Sequence, residues 1–124
     1  MKTYTVTVDD NGDKVWYINK KIHREDGPAI EYANGDKVWY INDKIHREDG
    51  PAVEYADGTK RWYINGKLHR EDGPAIEWSD GYKCWYLNGK LVSEQDVINL
   101  SQTVEIEGVK YSVAQIKAAL KKVA

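Results

Sequence analysis

The dipeptide Trp-Tyr recurs every 23 residues, at Trp16-Tyr17, Trp39-Tyr40, Trp62-Tyr63 and Trp85-Tyr86. Around it runs a near-copied unit, W-Y-I-N-x-K-I/L-H-R-E-D-G-P-A-I/V-E-Y/W, complete three times and cut short in the fourth copy. A fixed period of this length means stacked supersecondary units, none of which can bury its own apolar face alone. A copied scaffold presents a surface, whereas catalysis usually needs one asymmetric pocket.

Each unit carries two turn signals. The first is Asn11-Gly12, Asn34-Gly35, Asp57-Gly58 and Asp80-Gly81, a strong short-range hairpin mark. The second is Asn19-Lys20, Asn42-Asp43, Asn65-Gly66 and Asn88-Gly89, weaker in the first two copies. Between them lie β-branched and aromatic runs such as A-I-E-Y-A and D-K-V-W-Y-I. The expectation is a mainly β fold: a single-layer, twisted antiparallel β-meander with two main strands per unit.

A two-residue turn at Asn34-Gly35 would place Ile30 opposite Trp39 and Glu31 opposite Val38. One face would then collect Ile30, Tyr32, Trp39 and Ile41, and the other Ala29, Glu31, Val38 and Tyr40. The next copy would set Glu54 opposite Arg61. A two-residue turn at Asn42-Asp43 would bring His46 opposite Trp39.

The pattern changes after Lys90. The H-R-E-D-G-P of earlier units becomes V-S-E-Q-D-V, and Ser93 with Asp96 reads as a helix N-cap leading to a short helix through Leu100. T-V-E-I-E-G-V-K-Y-S-V then alternates like a hairpin turning near Gly108. Ser112 can cap a last helix with Val113, Ile116, Leu120 and Val123 on one stripe. Lys117, Lys121 and Lys122 fall near its C-terminal end. The domain reading is therefore a β-repeat array over 1–90 and a helix-hairpin-helix cap over 91–124.

The unit in composite form, N-G-K-L-H-R-E-D-G-P-A-I-E-Y-A-D-G-T-K-R-W-Y, joined from successive copies, resembles the MORN repeat. In that family Asn65, Gly66, Lys67, His69 and Gly73 would match the N-G-K-x-H-G-x-G core, with Asp57-Gly58 and Asp80-Gly81 as its D-G turn. The likeness covers roughly residues 11–90. This version departs by reading H-R-E-D-G-P-A where the family has H-G-x-G, which lengthens the connection. Units of this type are similar to those of bacterial and bacteriophage proteins. The resemblance implies a β-meander used for protein or lipid contact, without catalysis.

Charge and composition narrow the classes. A net charge of −2 gives no basic footprint, and residues 1–90 carry 14 Lys/Arg against 16 Asp/Glu, which disfavours nucleic acid. Five Trp and nine Tyr without a Phe put the apolar mass into amphipathic rings suited to interfaces. The lone Cys84 excludes an internal disulfide framework, and no run reaches membrane-spanning length. A cytoplasmic protein with no cofactor is expected.

His23, His46 and His69, each followed by Arg-Glu-Asp, look like metal or acid–base groups. Equivalent positions two strands apart are separated by about 10 Å, too far for one ion whose ligands sit at about 2 Å. No metal site and no catalytic residue is expected, and these histidines read as structural.

The aromatic strip permits a sharper expectation. Eight strands span nearly 40 Å at ~4.8 Å each, while a 12-residue helix covers only about 18 Å. The uncovered remainder would meet a protein partner, either a host protein or a second copy in a homodimer. Residues expected to make that contact are Arg61, Trp78, Tyr82, Tyr40, Tyr63, Tyr86, Arg47 and Arg70. A small inhibitor or adaptor acting on a host protein such as a defence nuclease is one form of this. A nucleotide or lipid held in an aromatic groove is the alternative.

Overall fold

The computed structural model describes residues 3–112 together with 115, 116 and 118–120. The chain is mainly β, a long antiparallel sheet of hairpins followed by a small C-terminal helix and strands. The first unit contains β1 (Thr5–Val8), β2 (Lys14–Ile18) and β3 (Lys21–Ile22). The second contributes β4 (Ile30–Glu31), β5 (Lys37–Val38), β6 (Tyr40–Ile41) and β7 (Lys44–Ile45). The third repeats this as β8 (Val53–Glu54), β9 (Lys60–Arg61), β10 (Tyr63–Ile64) and β11 (Lys67–Leu68). The fourth has β12 (Ile76–Glu77), β13 (Lys83–Leu87) and β14 (Lys90–Val92).

The main sheet runs β1-β2-β4-β5-β8-β9-β12-β13-β14, with β3 beside β2. The hairpins β6-β7 and β10-β11 form a second row. That row is stitched from unit to unit by backbone bonds, such as Arg24 N–H to Tyr40 O at 3.1 Å and Gly66 N–H to Ile45 O at 2.8 Å. The middle units thus hold four short strands instead of the two expected. Trp39 and Trp62 fall between the rows, where the chain leaves one set of partners for the next.

The Asn-Gly turn differs from the expected one. Tyr32 N–H donates to Asp36 O and Gly35 N–H to Tyr32 O, at 2.9 and 3.0 Å, closing a three-residue loop. Only Gly35 takes a positive φ, +99°, as in a type I turn followed by a left-handed glycine. The pairs are therefore Ile30 with Val38 and Glu31 with Lys37, not Ile30 with Trp39. In the third unit Val53 faces Arg61 and Glu54 faces Lys60, so the expected Glu54–Arg61 pair does not form.

This one-residue change re-sorts the faces. Val38, Ile30 and Tyr40 share one side, while Trp39 lies with Glu31 and Lys37 on the other. Trp and Tyr of each unit still point to opposite faces. The second turn matches expectation: Asn42 and Asp43 both have positive φ, 49° and 67°, pairing Tyr40 with Ile45 and Ile41 with Lys44. His46 N–H donates to Trp39 O at 3.0 Å, so these residues do lie opposite.

Beyond the array, α1 (Glu94–Ser101) is closed at its start by a capping box between Ser93 and Asp96. β15 (Thr103–Ile106) and β16 (Val109–Ser112) turn through Glu107 and Gly108, both left-handed. Ser112 Oγ accepts from Gln115 N–H at 3.0 Å, as expected of a cap. Of the expected stripe, Ile116 is half-buried and Leu120 is exposed. Val113 and Val123 lie outside the described residues, as do Lys117, Lys121 and Lys122.

Candidate interaction face

The two faces of the sheet have different chemistry. On the Trp side, each R-E-D-G-P loop folds its arginine back over the indole of its own unit. Arg24 stacks on Trp16 at 4.1 Å, Arg47 on Trp39 at 4.0 Å and Arg70 on Trp62 at 3.9 Å, measured to the ring centroid. Each guanidinium also donates to the loop. For Arg47 the acceptors are Asp49 at 3.0 Å and the carbonyl of Pro51 at 3.1 Å, with Glu54 at 3.5 Å. The loop glycine is there because the arginine is close. A Cβ at Gly50 would stand 3.0 Å from Arg47 Cζ, and one at Gly73 2.7 Å from Arg70 Cζ.

The histidines join one unit to the next. Nδ1 of His23, His46 and His69 accepts the backbone N–H of Asn42, Asn65 and Asn88, at 3.1, 2.9 and 2.9 Å. An accepting Nδ1 carries no proton, which leaves the ring proton to Nε2. Nε2 of each faces a glutamate two residues on, at 3.3–3.6 Å. A second column works the same way: Asp13, Asp36 and Thr59 accept from the backbone N–H of Ala33, Ala56 and Ser79. The fourth residue of that column is Tyr82, which has no following unit to join and is 67% exposed. Its divergence marks the end of the column. Among the described residues no group of His, Cys, Asp and Glu could hold a metal ion.

The fourth indole, Trp85, has Ser93 where the other units have arginine. There α1 packs on β13, with Val97 only 3% exposed, and Trp85 borders the same recess as Val97 and Ile98. The helix takes the place of the missing arginine. The Trp strip, expected to await a partner, thus carries arginines and α1 of its own chain while its rings stay half-buried, and Arg47 and Arg70 are stacked there.

The Tyr side is the opposite. Ile30, Val38 and Val53 form a buried centre with Val15, Ile22, Tyr40, Ile45, Tyr55 and Tyr63 packed on it. Among the described residues no large side chain is fully buried, and the rings around this centre stay part-exposed. Tyr32 is 41% and Leu91 66% exposed toward the ends of this face. Burial pushes the Tyr40 hydroxyl above its ordinary value, with Tyr32, Asp43 and Tyr63 adding to it.

Six of the eight residues expected to contact a partner gather here. Tyr40, Tyr63 and Tyr86 share the face through their pairings with Ile45, Leu68 and Leu91. Trp78 and Tyr82 pack tilted at 5.5 Å between ring centroids. Arg61 sits in the column Val38, Val53, Arg61, Ile76, Cys84 and lies 5.7 Å from the Tyr55 ring. The charged residues of the paired array strands otherwise fall on the Trp side. Sequence reasoning singled Arg61 out because it breaks the repeat, although the wrong register had paired it with Glu54.

Comparison with known proteins gives no match: no family, no curated protein and no solved structure matches this chain. No helix among the described residues is long and apolar enough to cross a membrane.

Proposed function

We propose that this chain is a non-catalytic protein-interaction module that binds through its Tyr face. The observation that carries this is the asymmetry of cover. Arginines stack over Trp16, Trp39 and Trp62 and α1 lies beside Trp85, while the Tyr side carries part-exposed rings around a thin apolar centre with only Arg61 stacked, at longer range, on Tyr55. Tyr and Trp rings with one arginine are the composition from which interface hot spots are built. A bacterial or bacteriophage inhibitor or adaptor acting on a host protein is the narrower form, supported only by the H-R-E-D-G-P-A likeness. A homodimer through the same face is its self-associating form.

Affinity capture with the intact chain and with a Tyr63→Ala/Tyr86→Ala variant tests the reading. A partner retained only by the intact chain is expected. Equal recovery by both would move the site elsewhere. The nucleotide or lipid alternative gains nothing from the grooves on the Trp side. One of them, about 790 Å³ between successive loops, is lined by Glu25, Asp26, Glu48 and Asp49 together with Arg24 and Arg47, whose guanidinium groups are already paired with Asp26 and Asp49. Those carboxylates repel phosphate and carboxylate head groups.

A further inference from the structure

Arg61 stands where the first two units have Val15 and Val38, flanked on neighbouring strands by Val53 and Ile76. Its Nε is buried and has no hydrogen-bond partner among the described residues. Its one charge-type contact is the Tyr55 ring, at the long end of the stacking range. Arg24, Arg47 and Arg70 are each paired with carboxylates, so the chain makes such pairs elsewhere. Arg61 as a whole is half-buried, but a buried N–H without an acceptor is costly, and valine would fit the column without that cost.

We propose that Arg61 is the specificity anchor of the Tyr face and receives an Asp or Glu side chain from an otherwise apolar segment of a partner protein. This rests on the interaction-face reading above. One guanidinium matches one carboxylate, and its planar fork can hold both oxygens. The surrounding Tyr40, Tyr55, Tyr63 and Ile76 supply apolar contacts on either side and exclude water from the pair. A polyanion would need a row of cations, and among the described residues of the paired array strands this face has only Arg61.

Panning a random peptide library on the immobilised chain tests this. Enriched peptides should carry an Asp or Glu flanked by apolar or aromatic residues, and should bind Arg61→Val at least tenfold more weakly. Arg61→Glu should select Lys or Arg at that place instead. Arg61→Val should also melt ~3 °C or more above the parent, because a buried N–H without an acceptor leaves the face. Arg61→Met is the second variant should valine disturb the strand. Enrichment of peptides without an acidic residue, or equal binding to Arg61→Val, overturns the anchor while leaving the face. No enrichment above an unrelated protein overturns the face itself.

Discussion

The guanidinium of Arg47 lies 4.0 Å above the ring of Trp39, eight residues earlier in the same unit. It is the keystone of the R-E-D-G-P loop, since it also donates to Asp49 and to the Pro51 carbonyl. Arg47→Lys keeps the charge but loses the planar fork and the flat stack. A loss of about 2 kcal/mol is expected from the stacking and the charged hydrogen bonds together. Urea unfolding measures it. A change below about 0.5 kcal/mol would make the stack ornamental.

Gly50 and Arg47 should be energetically coupled. Gly50→Ala sets a Cβ 3.0 Å from Arg47 Cζ and should cost about 1 kcal/mol as the arginine shifts off its stack. In an Arg47→Ala background the same change should cost little, because the obstruction is gone. Additive effects in the double-mutant cycle would mean that the glycine serves the backbone and not the arginine.

His46 holds unit three to unit two through Asn65 N–H. His46→Ala removes the acceptor from an exposed N–H that water can then bond, and should destabilise by about 0.5–1 kcal/mol. His46→Asn, whose carbonyl oxygen is an acceptor, should recover part of the loss. Nitrogen-15 NMR at neutral pH should show Nδ1 unprotonated in all three histidines. A proton found on Nδ1 would refute the inter-unit bond.

Lys20 holds a left-handed φ of 66°, where units three and four have Gly66 and Gly89. A side chain there costs about 1–2 kcal/mol, against about 0.5–1 kcal/mol for the greater freedom of an unfolded glycine. Lys20→Gly should therefore stabilise by roughly 0.5 kcal/mol. A lowered melting temperature would show that Lys20 makes a compensating contact.

Tyr40 gives the alkaline limit. Its folded hydroxyl ionises above the ordinary 10.0, so the folded state prefers the phenol. The stability this contributes is present below pH 10.0 and is lost as pH rises through the folded value. Tyr40→Phe should flatten that decline in alkaline unfolding curves. An unchanged decline would assign it to other groups.

Part of the fold is legible locally. Asn42-Asp43 demands two left-handed residues, so its register follows from the dipeptide and its spacing. Ser93 with Asp96 announces α1 in the same way. Asn34-Gly35 is ambiguous, because either a two-residue or a three-residue loop accepts a glycine. Burial of Ile30, Val38 and Val53 in one column favours the longer loop, and the Asp36 bond to Ala56 in the next unit fits it. The Val38–Val53 pair and the Asp36–Ala56 bond are contacts between units, which no single hairpin contains.

The sequence by itself determined that the chain is a β array of 23-residue units, with Trp and Tyr on opposite faces and a distinct end after Lys90. Only the tertiary structure decided which face holds the loop arginines and α1. Period and alternation place residues on sides of a strand, but they do not show that Arg47 turns back over Trp39 or that α1 replaces arginine at Trp85. Those choices depend on loop closure and on packing across units. They leave Arg61 among the tyrosines, with a buried N–H that meets no acceptor among the described residues.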